Sequence, residues 1–282
     1  MMRSSLIVLH FLIFISAITK TTISAEVNEG PSRRVIALTS FGADVTNKIS
    51  PRSLVAIPGS KLLADDPNMK HLPKISLGRN QPSVEKIISL KPDFVIGASG
   101  FHDKVLAKLD KLGISTLDYK IKDINSIQLL ANRISTNLSA PFISINKYIP
   151  ACFPSTLVKQ KQFDPILVVV GFKPIIAPTS KSWSGSLLRH LGIPNLTSTL
   201  PGSGQFSGYS TLSPEWVIKS NPNYLAVITF PNAELPNLSD KPIWKSLSAV
   251  KSNKIRYFNY YGLINPGSLQ SINNACQKLL KI

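Results

Sequence analysis

One plan is written twice in this chain, about 130 residues apart, and that repetition restricts the fold more than any other feature. The first copy, VEKIISLKPDFVIGASGF, begins at Val84. The second, PEWVIKSNPNYLAVITF, begins at Pro214. In each, a glutamate (Glu85, Glu215) opens a short helical pattern, a proline stands seven residues later (Pro92, Pro222), and an apolar strand follows. Val84, Ile87 and Ile88 lie on one face at helical spacing, and Pro82 suits the first helical position. Pro92 closes the helix. The apolar runs from Arg34 (RVIALTSFG) and from Pro165 (PILVVVGFK) are spaced by about the same interval. Two such coincidences predict two lobes of similar design, too far apart for a short solenoid repeat.

Between these landmarks the pattern alternates. Strands are expected at 35–38, 54–57, 94–96, 114–119, 166–170 and 255–258, helices at 43–49, 102–112, 125–138 and 269–280, and a further helix after Trp183-Ser184-Gly185 that runs through His190. Strand and helix in alternation imply a mostly parallel sheet with helices on both faces. In the 282-residue chain this reads as an α/β protein with an N-terminal lobe over 26–140 and a C-terminal lobe over 164–282. Residues 141–163 form the connection, partly helical and bent, because Pro150 and Pro154 interrupt the pattern and an interior proline costs a helix about 3 kcal/mol.

Residues 1–25 read as a signal peptide. Arg3 precedes an apolar run from Leu6 to Ala17, too short to span a bilayer, and Ser24-Ala25 offers a small-residue cleavage point before Glu26. No cysteine lies near that point, so a lipid-modified N-terminus is not expected; the product is exported and soluble. The formal net charge is +17, with the lysines scattered, which argues against nucleic acid as a partner. Cys152 and Cys276 are the only cysteines. An exported chain permits their pairing, but spacing leaves open a disulfide or two buried thiols.

Catalytic and cofactor motifs are weak. Gly202, Gly204 and Gly208 have the wrong spacing for a dinucleotide loop, and no P-loop lysine follows. Trp183-Ser184-Gly185 is not a nucleophile elbow. His71, His102 and His190 lack metal-ligand spacing and read as surface or loop residues. Neither a metal site nor a cofactor is expected. What remains is a set of polar and aromatic residues near strand ends: Ser40, Phe41, Arg79, Ser99 and Phe101 in the first lobe, and Phe172, Tyr209 and Tyr260 in the second. Ligands of open α/β sheets bind beyond the carboxyl ends of the strands. Two facing lobes would therefore enclose an aromatic cleft holding one guanidinium.

The runs RVIALTSFGADV, SLGRNQPSVEKIISLKPDFVIGASG and LSPEWVIKSNPNYLAVI resemble, in order, the substrate-binding proteins of iron-siderophore and vitamin B12 ABC importers. That resemblance implies two lobes joined by a single long helix, here kinked by its prolines, with the ligand between them. It implies a monomeric periplasmic binder that is not an enzyme and that delivers its ligand to an ABC permease with its ATPase. It also implies that Glu85 and Glu215 dock on basic pockets of the permease, and that Arg79 and Tyr209 flank the ligand. Arginine in place of an aromatic favours an anionic iron chelate over a corrinoid, since its donor fork suits carboxylate or hydroxamate oxygens. Cobalamin and haem are the alternatives. An exported α/β hydrolase and a receptor sensor domain are the rivals from other classes; turnover of generic esters or a membrane-retained N-terminus would reveal them.

Overall fold

The computed structural model describes residues 33–77, 80–155, 162–202, 207–231, 233–234, 237–238 and 240–282, which belong to one compact unit. Residues 1–25, expected to be a signal segment, and Arg79 lie outside the described residues.

In the N-terminal half, β1 (Val35–Ala37), α1 (Ser40–Ile49), β2 (Leu54–Gly59), β3 (Lys74–Leu77), α2 (Val84–Ser89), β4 (Phe94–Ala98), α3 (Asp103–Lys111), β5 (Ser115–Tyr119) and α4 (Ile124–Leu138) follow in order. Their strands form one five-stranded sheet, β3-β2-β1-β4-β5, parallel throughout. In the C-terminal half, β6 (Ile166–Val169) is followed by β7 (Gly171–Phe172), β8 (Ile175–Pro178), α5 (Trp183–His190), β9 (Tyr209–Leu212), α6 (Pro214–Ser220) and β10 (Tyr224–Thr229). Two short helices, α7 (Pro242–Lys245) and α8 (Ser248–Lys251), then β11 (Ile255–Asn259) and α9 (Leu269–Leu279) complete it. Strands β11-β10-β6 make a second parallel sheet, and β7-β8-β9 a small antiparallel one that the sequence pattern does not foretell. The two copies of the repeated plan thus become α2–β4 and α6–β10, each β strand lying beside the first strand of its own half.

Strand periodicity decides what each face buries. Val35, Ala37, Phe94 and Ile96 point to one core, while Ile36, Leu38 and Val95 point to another. Ile166, Val168, Ala226 and Ile228 of the second parallel sheet join the same core as Val35 and Phe94; Leu167, Val169, Leu225 and Val227 face a separate one. The shared core is filled by Ile127, Leu130 and Ile134 of α4, Leu187 and Leu188 of α5, and Ile272 and Leu279 of α9.

Four expectations change. Helix α1 begins at Ser40, because Thr39 caps it and its Oγ1 accepts from the Gly42 N–H. Helix α2 begins after Pro82, with Ser83 as the cap, whereas Pro214 does open α6. Ile88, expected on the buried stripe, faces solvent at 40% exposure, and Ile87 alone is fully buried. Residues 141–155 do not form the first part of a long helix. They make two 3₁₀ turns, Ile145–Lys147 and Pro150–Cys152, the second opened by the proline that an α-helix could not accommodate. This segment is fastened to α9: the Ala151 N–H donates to Asn273 Oδ1 at 2.9 Å, and Cys152 is disulfide-bonded to Cys276.

Candidate functional site: a cleft between the two parallel sheets

A cleft of about 1230 Å³ is lined by residues from both halves. Most of them follow the carboxyl ends of strands, where adjacent connections leave a crevice. From the first half, Ser40 and Phe41 reach it from the first turn of α1, and Ser99 and Phe101 from the turn after β4. Phe41 is a wall rather than a free ring: it is buried and lies 6.3 Å from the Tyr119 ring. Ser99 donates its hydroxyl to Asp118 at 2.7 Å, so that group is already committed. Phe101 stands at the lip with 62% of its surface exposed. A residue expected at the surface, His102, is instead buried beneath it and also lines the cleft. Its Nδ1 accepts from the Ala98 N–H, and burial pushes its pKa down, keeping the ring neutral. Tyr119 Oη lies 2.5 Å from Thr39 Oγ1, and burial pushes its phenol up to about 12, so it stays a neutral hydroxyl.

The second half contributes an aromatic wall. Tyr260 stacks on Phe230 with centroids 5.1 Å apart and meets Tyr261 edge-on at 5.3 Å. The turn carrying them needs glycine at position 262: φ is 97°, and a Cβ there would lie 2.1 Å from the Ser271 carbonyl oxygen. Trp183 Nε1 donates to the Gly262 carbonyl and Ser184 Oγ to that of Leu263, which fixes the turn on α5. Tyr209, half-buried, also lines the cleft, and burial pushes its phenol up to about 12. Phe172 does not join them: it packs edge-on against Trp244 at 5.1 Å, outside the cleft lining, because β7 turns back into the small antiparallel sheet.

Three lysines that sequence reasoning did not single out, Lys61, Lys120 and Lys278, line the same cleft. Among the described residues of that lining there is no aspartate or glutamate. Lys120 and Phe230 follow β5 and β10 directly, so the strand-end rule could have found them. Lys278 could not be found that way, since it reaches the cleft from the C-terminal helix.

Glu85 and Glu215 are both fully solvent-facing in the first turns of α2 and α6. Ser83 donates to Glu85 at 2.6 Å and holds its carboxyl below the ordinary range. Glu215 is lowered too, first by its own backbone N–H and then by Ser213. Among the described residues, no cluster of His, Cys, Asp or Glu could hold a metal ion, and no helix is long and apolar enough to cross a membrane.

Two half-sheets that share a core and enclose a cleft at their strand ends define a two-lobed α/β binding protein. The chain belongs to the periplasmic binding protein family, whose model matches residues 35–137 and 155–260. The family comprises the substrate-binding components of ABC transporters, located in the periplasm or outside the cell. Over 254 residues the chain is 23% identical to the Fe(3+)-citrate-binding protein YfmC of Bacillus subtilis (84% of this chain, 74% of that protein). It is 26% identical over 190 residues to an iron-uptake system-binding protein of the same organism (62% and 57%). Its fold matches the periplasmic vitamin B12 binding protein BtuF of Vibrio cholerae, with TM-score 0.62, 19% identity and coverage of 89% and 97%. It also matches the periplasmic haem-binding protein RhuT from Roseiflexus, with TM-score 0.65, 18% identity and coverage of 89% and 98%.

Proposed function

We propose that this solute-binding component of an ABC importer takes an anionic ferric chelate of the citrate or hydroxamate class. The observation that carries the reading is the cleft itself: three lysines, an aromatic wall and, among its described residues, no carboxylate. A cleft of one sign attracts a ligand of the other and concentrates it. The stacked rings give apolar surface to the chelate's organic frame. Arg79, outside the described residues, is proposed to add a donor fork at the mouth. The similarity to a ferric-citrate-binding protein supports the same class. Cobalamin or haem is the second reading, favoured by the Phe230–Tyr260–Tyr261 surface, on which a flat macrocycle could lie.

Trp183 lines the cleft, so tryptophan fluorescence should report occupancy. Titration with ferric citrate, ferric hydroxamate, haem and cyanocobalamin separates the readings. Saturable binding of a ferric chelate, weakened by salt, is expected. Tight binding of cyanocobalamin alone, indifferent to salt and to Arg79→Ala, overturns the choice.

The proposal extends to export and delivery. Cleavage near Glu26 would release a soluble periplasmic chain, which N-terminal sequencing of the exported protein tests. Glu85 and Glu215 would then steer and orient it on the permease. Glu85→Lys with Glu215→Lys should abolish uptake and leave ligand affinity unchanged; uptake that survives refutes the docking role.

A further inference from the structure

We infer that each docking glutamate is half of a two-part epitope, whose other half is an exposed isoleucine one helical turn on: Glu85 with Ile88, and Glu215 with Ile218. The partner is a two-fold symmetric membrane protein presenting, twice, a basic pocket beside an apolar seat. This rests on the proposed docking role of the glutamates and adds a contact that role does not require.

Ile88 is 40% exposed and Ile218 47%, although each sits in a short helix whose neighbouring position is fully buried, Ile87 in α2 and Val217 in α6. A single exposed apolar residue needs no explanation. Here the same residue type is exposed at the same place in both copies of the plan. The agreement extends through the motif. Ser83 and Ser213 cap the helices and accept from the N–H three residues on, Lys86 and Trp216. Lys91 and Asn221 both leave the helix with positive φ, 48° and 37°, ahead of Pro92 and Pro222. Elsewhere the two copies differ freely: Lys86 corresponds in position to Trp216, and Ser89 to Lys219. Of the helix positions exposed in both copies, the serine, the glutamate and the isoleucine keep their residue type, whereas Ser89 and Lys219, and Lys91 and Asn221, do not.

Residues three apart on a helix are neighbours on its surface. Each helix therefore presents a carboxylate next to an apolar side chain. Asn80 and Tyr209, five and six residues before Glu85 and Glu215, line the cleft. A partner that reads both copies alike must carry two copies of one receptor surface, which is two-fold symmetry. Its charge is fixed by the two carboxylates, both held ionised, so the complementary surface is basic. An apolar contact beside a steering charge is where lasting affinity is gained, since rim charges act mainly on the encounter rate.

The test uses outward-facing membrane vesicles from the protein's own host and fluorescently labelled full-length mature protein. Wild type should bind saturably and be displaced by unlabelled protein. Ile88→Ser and Ile218→Ser should each weaken binding about tenfold, by similar amounts, and together by about a hundredfold or more. Leu129→Ser, which removes another exposed apolar side chain, should change nothing. Unchanged ligand titrations and melting temperatures show that the variants are folded. If the glutamate pair proves essential but the isoleucine pair binds like wild type, this inference falls and the docking role stands. If wild type shows no saturable binding, or neither pair matters, both fall. Equal loss with Leu129→Ser would mean nonspecific adhesion to lipid, and a dimer in solution abolished by the isoleucine changes would mean the patches join two copies of this chain; either result overturns the inference.

Discussion

At the scale of single residues, two side chains couple distant parts of the chain. Lys278 donates its ammonium to the Tyr257 carbonyl and lies 5.3 Å from the Phe258 ring centre, which holds it at the cleft. Lys278→Ala should weaken ferric citrate about fivefold by calorimetric titration, a modest loss because the group is exposed and screened. Asp44, only 7% exposed, accepts from the Leu269 N–H at 2.7 Å, so the first helix caps the last. Burial raises its pKa above the ordinary 3.8, outweighing the Leu269 bond and Lys48. The folded state therefore holds this proton more tightly than the unfolded chain does. The stability gained from protonation is full below about pH 3.8 and is lost as pH rises through the raised value. Asp44→Asn keeps an acceptor for Leu269 and removes the charge. Its stability relative to wild type should climb across that window and then level off, as urea midpoints between pH 3.5 and 7 would show. Asp44→Ala, which strands the buried N–H, should cost about 1–3 kcal/mol.

At the scale of elements, the connection between the halves is held by attachment rather than by helical continuity. Pro150–Cys152 is bonded to α9 through Cys152–Cys276, across 124 residues of chain. The Cys152 carbonyl also meets His190 Nε2 at 2.8 Å, which ties the segment to α5. Cys152→Ser with Cys276→Ser should lower stability by about 2–5 kcal/mol. Thiol labelling of wild type should be absent before reduction. The paired helices end on non-glycine residues in left-handed backbone, so Lys91→Gly should relieve strain and add about 1 kcal/mol. A fall in melting temperature would contradict it.

At the scale of the molecule, both parallel sheets turn one face toward a single core. Lobes that share a core cannot melt separately, so calorimetry should show one transition with equal calorimetric and van't Hoff enthalpies. Two resolved transitions would mean that the sheets are energetically independent. A bound chelate at about a hundred times its dissociation constant should add about 2.7 kcal/mol to that one transition.

The sequence by itself determined the alternating elements, the two-lobe plan and where the proline stops each repeated helix, though not where α1 and α2 begin. Those depend on contacts within a few positions: a proline at Pro92, apolar alternation from Val35. It also located much of the cleft, because Ser40, Ser99 and Tyr260 follow strand ends in any such fold. The tertiary structure alone decided the rest. Ile88 fits the apolar stripe by spacing, yet which side of a six-residue helix is covered depends on what packs against it. Phe172 follows a strand as Phe41 does, but β7 pairs with β8 and carries it to Trp244. Lys278 reaches the cleft, and Cys276 finds Cys152, because a helix at the end of the chain packs beside the middle of it. Proximity across 124 residues is set by the packing of whole faces, and no local pattern of residue types encodes it.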